Sequence, residues 1–212
     1  MAGELVEHTK VAFQYIQRLY NETAMLIREV ELLLAEEPES LKIGRPSGYG
    51  ITVRKATGLA ATDVQQWPRR RLAVFFTPEP ARVKGHTDTP LGPDCRVMYL
   101  RFVLDRYEHT EFAGKALSEP AVFFGVLWGV HSPNNKVKKF EQCMTNLEYI
   151  EHKLMRELPN VDIEDNACSM QGRLSMLPLF DLVDVGSVAQ LLVKPWLAMY
   201  RDSALGPASS TA

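Results

Sequence analysis

Residues 5–34, LVEHTKVAFQYIQRLYNETAMLIREVELLL, carry the strongest periodic pattern in the chain. Large apolar residues recur at intervals of seven: Val6, Phe13, Tyr20, Ile27 and Leu34. This spacing places them on one face of an α-helix. The helix is expected to end by Pro38, because proline disfavours helical backbone in the residue before it. At 1.5 Å per residue, such a helix is roughly 45–50 Å long and exceeds the ~30 Å span of a small domain.

The apolar stripe of this helix has two interpretations. Either the whole stripe covers a sheet, or part of it projects from the domain and pairs with another chain. The second interpretation predicts a protein partner or a homodimer. Its predicted interface residues are Phe13, Tyr20, Ile27 and Leu34.

Four strand-like segments follow, over residues 49–54, 72–76, 96–104 and 121–130. The last two are apolar on both faces, which predicts central strands. No helical pattern of ten or more residues lies between them, whereas parallel neighbours need such a crossover. The sequence therefore predicts a mostly antiparallel sheet of four or five strands.

Two further helices are predicted after the sheet. One spans residues 137–158 and ends before Pro159, and the other is capped by Asp184 or Ser187 and is kinked or shortened at Pro195. Between them, Pro178 predicts that the weak segment 174–185 is an edge strand or irregular. The fold class is α+β, with the sheet packed by a long N-terminal helix, a second long helix and a C-terminal helix. A single domain is expected over residues 1–203 and a disordered tail over 204–212.

Composition restricts the class of protein. The 212 residues have a formal net charge of -2 and a sequence pI of about 6.2, which argues against binding to nucleic acid. The widely spaced Cys95, Cys143 and Cys168 form neither a disulfide framework nor a zinc motif, so a reducing compartment is expected. No apolar run reaches the ~18 residues of a membrane helix, and the start of the chain is acidic and polar. These features together predict a cytoplasmic protein without a membrane segment.

Two polar loops hold the only candidates for catalysis. The loop over residues 77–95 is long and rich in proline, and a turn over residues 105–111 combines carboxylates with a histidine. Such groups could act as acids and bases if they converged, but a stiff connection and a solvated turn explain them equally well. The candidate residues are His86, Asp88, Asp105, Glu108 and His109. No motif indicates a metal or a cofactor.

Two basic groups are candidates for binding a partner or an anion. The alternative is that the arginines form the charged entry to an edge strand, which blocks aggregation. The candidate residues are Arg69, Arg70, Arg71, Lys136, Lys138 and Lys139. A last local feature is the pair Gly125 and Gly129, four residues apart in a central strand, which predicts a groove that seats the first helix or a small ligand, with the helix favoured.

Three functions are compatible with these patterns. The first is a non-catalytic interaction or regulatory protein that acts through the long helix and the sheet surface. The second is a sensor with a small-molecule pocket under the 77–95 loop. The third is a hydrolase or nuclease that uses the polar loops. The first is favoured, because the helical stripe is long and catalytic signatures are lacking.

Overall fold

The architecture was obtained as a computed structural model that describes residues 2–38, 41–43, 71–78, 95–104, 111–133, 143, 159–165 and 168–203. Helix α1 spans Ala2–Ala35, in agreement with the predicted helix. The described strands are β1 Leu41–Ile43, β2 Arg71–Pro78, β3 Arg96–Val103, β4 Glu111–Phe112, β5 Lys115–Ala116, β6 Ala121–His131, β7 Asn160–Ile163 and β8 Ser169–Pro178. A 3-10 turn at Leu179–Asp181 then leads to a helix, α2, whose consecutive segments are Val185–Ser187, Val188–Val193 and Lys194–Asp202.

The main sheet has the strand order β1-β2-β3-β6-β8-β7, and every neighbouring pair is antiparallel. This confirms the α+β class and the antiparallel sheet. The described part of the main sheet has six strands rather than four or five, because the short strands β1 and β7, of three and four residues, were not predicted. Runs that short carry no readable alternation. The predicted strand 49–54, most of the second helix and the tail 204–212 lie outside the described residues.

The central position predicted for β3 and β6 is confirmed. They pair with each other over eight residues, and β2 and β8 flank them on either side. In β3, every residue after Arg96 is buried, including Arg101, which donates a hydrogen bond from Nη1 to the Tyr99 hydroxyl at 2.9 Å. The sequence pattern did not predict this buried guanidinium in the core.

The segment 174–185, predicted as an edge strand or an irregular run, consists of the end of β8 and the turn that leads to α2. β7 pairs with residues 170–173 of β8, whereas residues 175–178 pair only with β6 among the described residues. Pro178 is the last residue of the strand, where a missing N–H removes no hydrogen bond from the middle of the sheet. This agrees with the prediction.

The prediction that Gly125 and Gly129 form a groove for α1 is wrong. A side chain at Gly125 would overlap the backbone of β8, with the Leu174 Cα only 2.7 Å from the added Cβ. Gly129 lies at a bulge in the strand with φ +62°, a conformation that favours glycine. Gly125 therefore allows β6 and β8 to approach each other, whereas α1 packs on the opposite face of the sheet.

Two hydrophobic clusters cover the two faces of the sheet. The first lies between the sheet and the two helices, and includes Ile27, Val30 and Leu34 of α1 together with Trp196 of α2. The second lies on the other face and contains all three cysteines of the chain. The sheet is thus a middle layer with a core on each side.

The predicted cap of α2 is confirmed, and Pro195 does not interrupt the helix. The Asp184 carboxylate accepts the Ser187 backbone N–H at 2.7 Å, and the Asp184 N–H donates to the Ser187 hydroxyl at 3.0 Å. This reciprocal capping fixes the start of α2. The segment Val188–Val193, directly before Pro195, is a π-helix, whose wider turn accommodates a residue that lacks an N–H.

The prediction about the cysteines is wrong for two of them. Cys143 and Cys168 form a disulfide across 25 residues of sequence, with Cα atoms 5.4 Å apart. Cys95 is a buried free thiol, and burial raises its pKa to about 12. Spacing along the chain did not reveal the pair, because the fold alone brings Cys143 to the start of β8.

Within the described parts of the chain, no helix combines the length and the apolar character needed to cross a membrane.

Candidate interaction surface

Helix α1 is buried along only one half of its length. Thr23, Ile27, Val30 and Leu34 are buried, whereas every side chain over residues 5–15 is exposed. The exposed set includes large apolar side chains whose exposed fractions exceed one half: Leu5, Val6, Val11, Phe13 and Tyr15. We call residues 5–18 of α1 the arm.

Helix α2 packs with the buried half of α1. Glu37, just beyond α1, forms an ion pair with Arg201 near the end of α2, with a 2.8 Å distance between Oε2 and Nη2. The earlier segment Val188–Val193 packs against α1. The buried half of α1 and α2 thus lie together in the first cluster.

The burial of α1 begins at Thr23 and continues through Ile27 and Val30 to Leu34. The arm is the part of α1 that precedes this buried half.

A second exposed apolar surface lies at the start of α2. Phe180, Val183 and Val185 are 53%, 78% and 55% exposed, and they flank the start of α2. We call these three residues the corner patch. A residue in the position of Val183 commonly packs onto the fourth residue of the helix, here Val188. Val188 is buried but Val183 is not, so the apolar surface of Val183 is exposed to solvent.

The arm carries little net charge. Its charged side chains are Glu7, Lys10 and Arg18, and the Arg18 guanidinium donates to the Glu22 carboxylate at 2.7 Å one turn further on. Hydrogen bonding and charge from Glu22 raise the pKa of Arg18 above its ordinary value. The surface of the arm is therefore apolar and nearly neutral, which suits a protein partner better than a polyanion.

The four predicted interface residues divide between two environments. Ile27 and Leu34 are fully buried in the first cluster and face no partner. Tyr20 is half-buried, and Phe13 is 64% exposed. The second half of the stripe covers the sheet, as the first interpretation expects. The first half leaves the free apolar surface that the second interpretation requires.

Most of the other candidate residues lie outside the described residues. Arg71 is the first residue of β2, paired with Val103, and nothing more is described of its side chain. Among the residues that the structure describes, no three histidine, cysteine, aspartate or glutamate side chains are grouped so as to hold a metal ion. The candidates outside the described parts are His86, Asp88, Asp105, Glu108, His109, Arg69, Arg70, Lys136, Lys138 and Lys139.

The corner patch was missed by sequence reasoning, which treated residues 174–185 as one weak segment. A local signal did exist, because apolar residues precede the capping pattern at Asp184 and Ser187 with no periodic element of their own to join. Their exposure could be known only from the fold.

Comparison of the chain with protein families, with curated proteins and with solved structures found no match.

Proposed function

We propose that this chain is a non-catalytic interaction protein that binds a protein partner through the arm of α1. The observation that carries the proposal is the exposure of four helical turns with large apolar side chains, beyond the point where α1 loses its own core. Exposed apolar stripes of this kind mark binding surfaces in folded proteins. The sensor and hydrolase alternatives depend on residues outside the described parts of the chain.

The anchoring of α1 supports the same function. An isolated helix of about 14 residues is marginal in water, but the arm continues a helix whose second half is held in the first cluster. The arm is therefore presented to a partner as a preformed helix, and binding loses less conformational entropy than the folding of a free peptide would. This arrangement corresponds to recognition of an amphipathic helix through its apolar face.

Site-specific photo-crosslinking in the cells that produce the protein tests this proposal. A photoreactive amino acid replaces Phe13 in one variant and Leu32 in the control. Both side chains lie on α1 and are exposed to a similar degree, 64% and 61%, but Leu32 lies outside the arm. We expect a discrete adduct from position 13, mapped to one peptide of the partner, and none from position 32. Equal yields at both positions, or no adduct at either, would contradict an interaction through the arm.

A further inference from the structure

We infer that the partner of the arm is a second copy of this chain, with the two arms packed antiparallel. This inference rests on the proposed function and names its partner. It is drawn from the order of side chains along the arm, from the Thr9 hydroxyl and from the charges around the arm.

The side chains of the arm are complementary to themselves in reverse order. The heptad stripe passes through Val6, Thr9, Phe13 and Ile16. An antiparallel pair centred on residue 11 places Val6 against Ile16 of the second copy and Thr9 against Phe13. Each layer then combines a smaller side chain with a larger one, as close packing requires. Parallel arms would place two phenylalanines in one layer and two threonines in another.

Thr9 can be buried in such an interface without an unsatisfied polar group. Its hydroxyl donates to the Leu5 carbonyl oxygen at 2.7 Å, within its own helix. The hydroxyl is therefore already paired before any partner arrives, and its methyl group is free to contact Phe13 of the second copy. A buried hydroxyl without a partner would oppose association.

Charge also permits self-association. The sequence around the arm has Glu4 and Glu7 against Lys10 and Arg18, so two copies bring together equal numbers of each sign. Together with Glu4, the arm has no excess positive charge that would direct it instead to an anionic membrane or a nucleic acid.

Sedimentation velocity over roughly 1–200 µM protein tests the inference, since this is the range of a modest interface. We expect the mass to rise from 23.9 kDa to twice that value with concentration. Phe13→Glu should raise the dissociation constant at least ~30-fold, as loss of a central apolar contact does. Leu32→Glu, the matched control on the buried half of α1, should leave the dissociation constant unchanged. Unaltered circular dichroism of both variants would show that α1 still forms.

Cysteine crosslinking tests the orientation of the arms. A T9C chain mixed with an F13C chain should form a mixed disulfide between copies, whereas parallel arms would give a disulfide between two T9C chains. The second product would overturn the antiparallel arrangement. A protein that stays monomeric at all concentrations, yet still gives the photo-crosslink from position 13 to another protein, would overturn self-pairing and leave the proposed function intact. Absence of both dimer and crosslink would overturn both.

Discussion

Trp196 joins α2 to the central strand, and its removal should produce the largest loss of stability that one side-chain truncation in α2 can cause. The side chain is fully buried, and its Nε1 donates to the Gly125 carbonyl oxygen at 2.6 Å. Its ring packs edge-on against Phe76, with centroids 5.5 Å apart, and against Phe124, at 6.3 Å. Trp196 therefore contributes both apolar burial and a hydrogen bond between the helical layer and the sheet.

Two substitutions separate these contributions. Trp196→Phe keeps a ring but removes the donor to a buried carbonyl, which costs about 2 kcal/mol. Trp196→Ala also leaves a cavity and costs about 3–5 kcal/mol. With a urea m-value of about 2 kcal/mol/M, the midpoints should fall by about 1 M and about 2 M respectively. Leu191→Ala, on the same helix but 41% exposed, should cost less than about 1 kcal/mol.

Urea unfolding followed by fluorescence measures these shifts, because the variants retain two of the three tryptophans, Trp67 and Trp128. The free energy of unfolding should decrease in the order wild type, Phe variant, Ala variant. If both substitutions at residue 196 left the midpoint within the change caused by Leu191→Ala, Trp196 would not link α2 to the sheet as described.

Three further predictions concern the sheet and its second core. Gly125→Ala should destabilise the protein by about 3 kcal/mol, because the added Cβ overlaps β8. A thermal melt measures this loss, and Gly186→Ala is the control, because the atom nearest to its added Cβ is 3.4 Å away. Serine at both Cys143 and Cys168 should cost about 3 kcal/mol, since their disulfide closes a loop of 25 residues. Reducing agent should destabilise the wild type by a similar free energy, seen as a lower melting temperature. It should leave the melting temperature of the serine variant unchanged. Stability should fall as pH rises from about 9 towards 12, because the Cys95 thiol ionises near pKa 9.0 when unfolded but near about 12 when folded. A Cys95→Ala variant that lost stability over this range just as steeply would disprove that cause.

The long helix and the central strands could be read from the sequence because their patterns are local. α1 repeats apolar residues at helical intervals over thirty positions, and β3 and β6 are continuous apolar runs bounded by turns. Asp184 was identified as a cap for the same reason, since its partner Ser187 is three residues away. Patterns of this length depend on backbone geometry that neighbouring residues impose.

Other features could not be read because they join distant parts of the chain. β8 begins at Ser169, five residues before the predicted segment, and its partners β6 and β7 lie elsewhere in the chain. Cys143 and Cys168 lie 25 residues apart, and nothing in that interval indicates that the fold brings their sulfur atoms together. The corner patch was missed for a similar reason, because its exposure depends on which other parts of the fold pack over it.

By itself, the sequence determined that residues 5–34 form one helix with a continuous apolar stripe, because a stripe depends only on the order of residues along the helix. The tertiary structure decided which half of that stripe is core and which is surface. The second half is core because α2 and the sheet pack against it in the first cluster. Burial is a property of neighbours in space, and here those neighbours lie more than 160 residues along the chain.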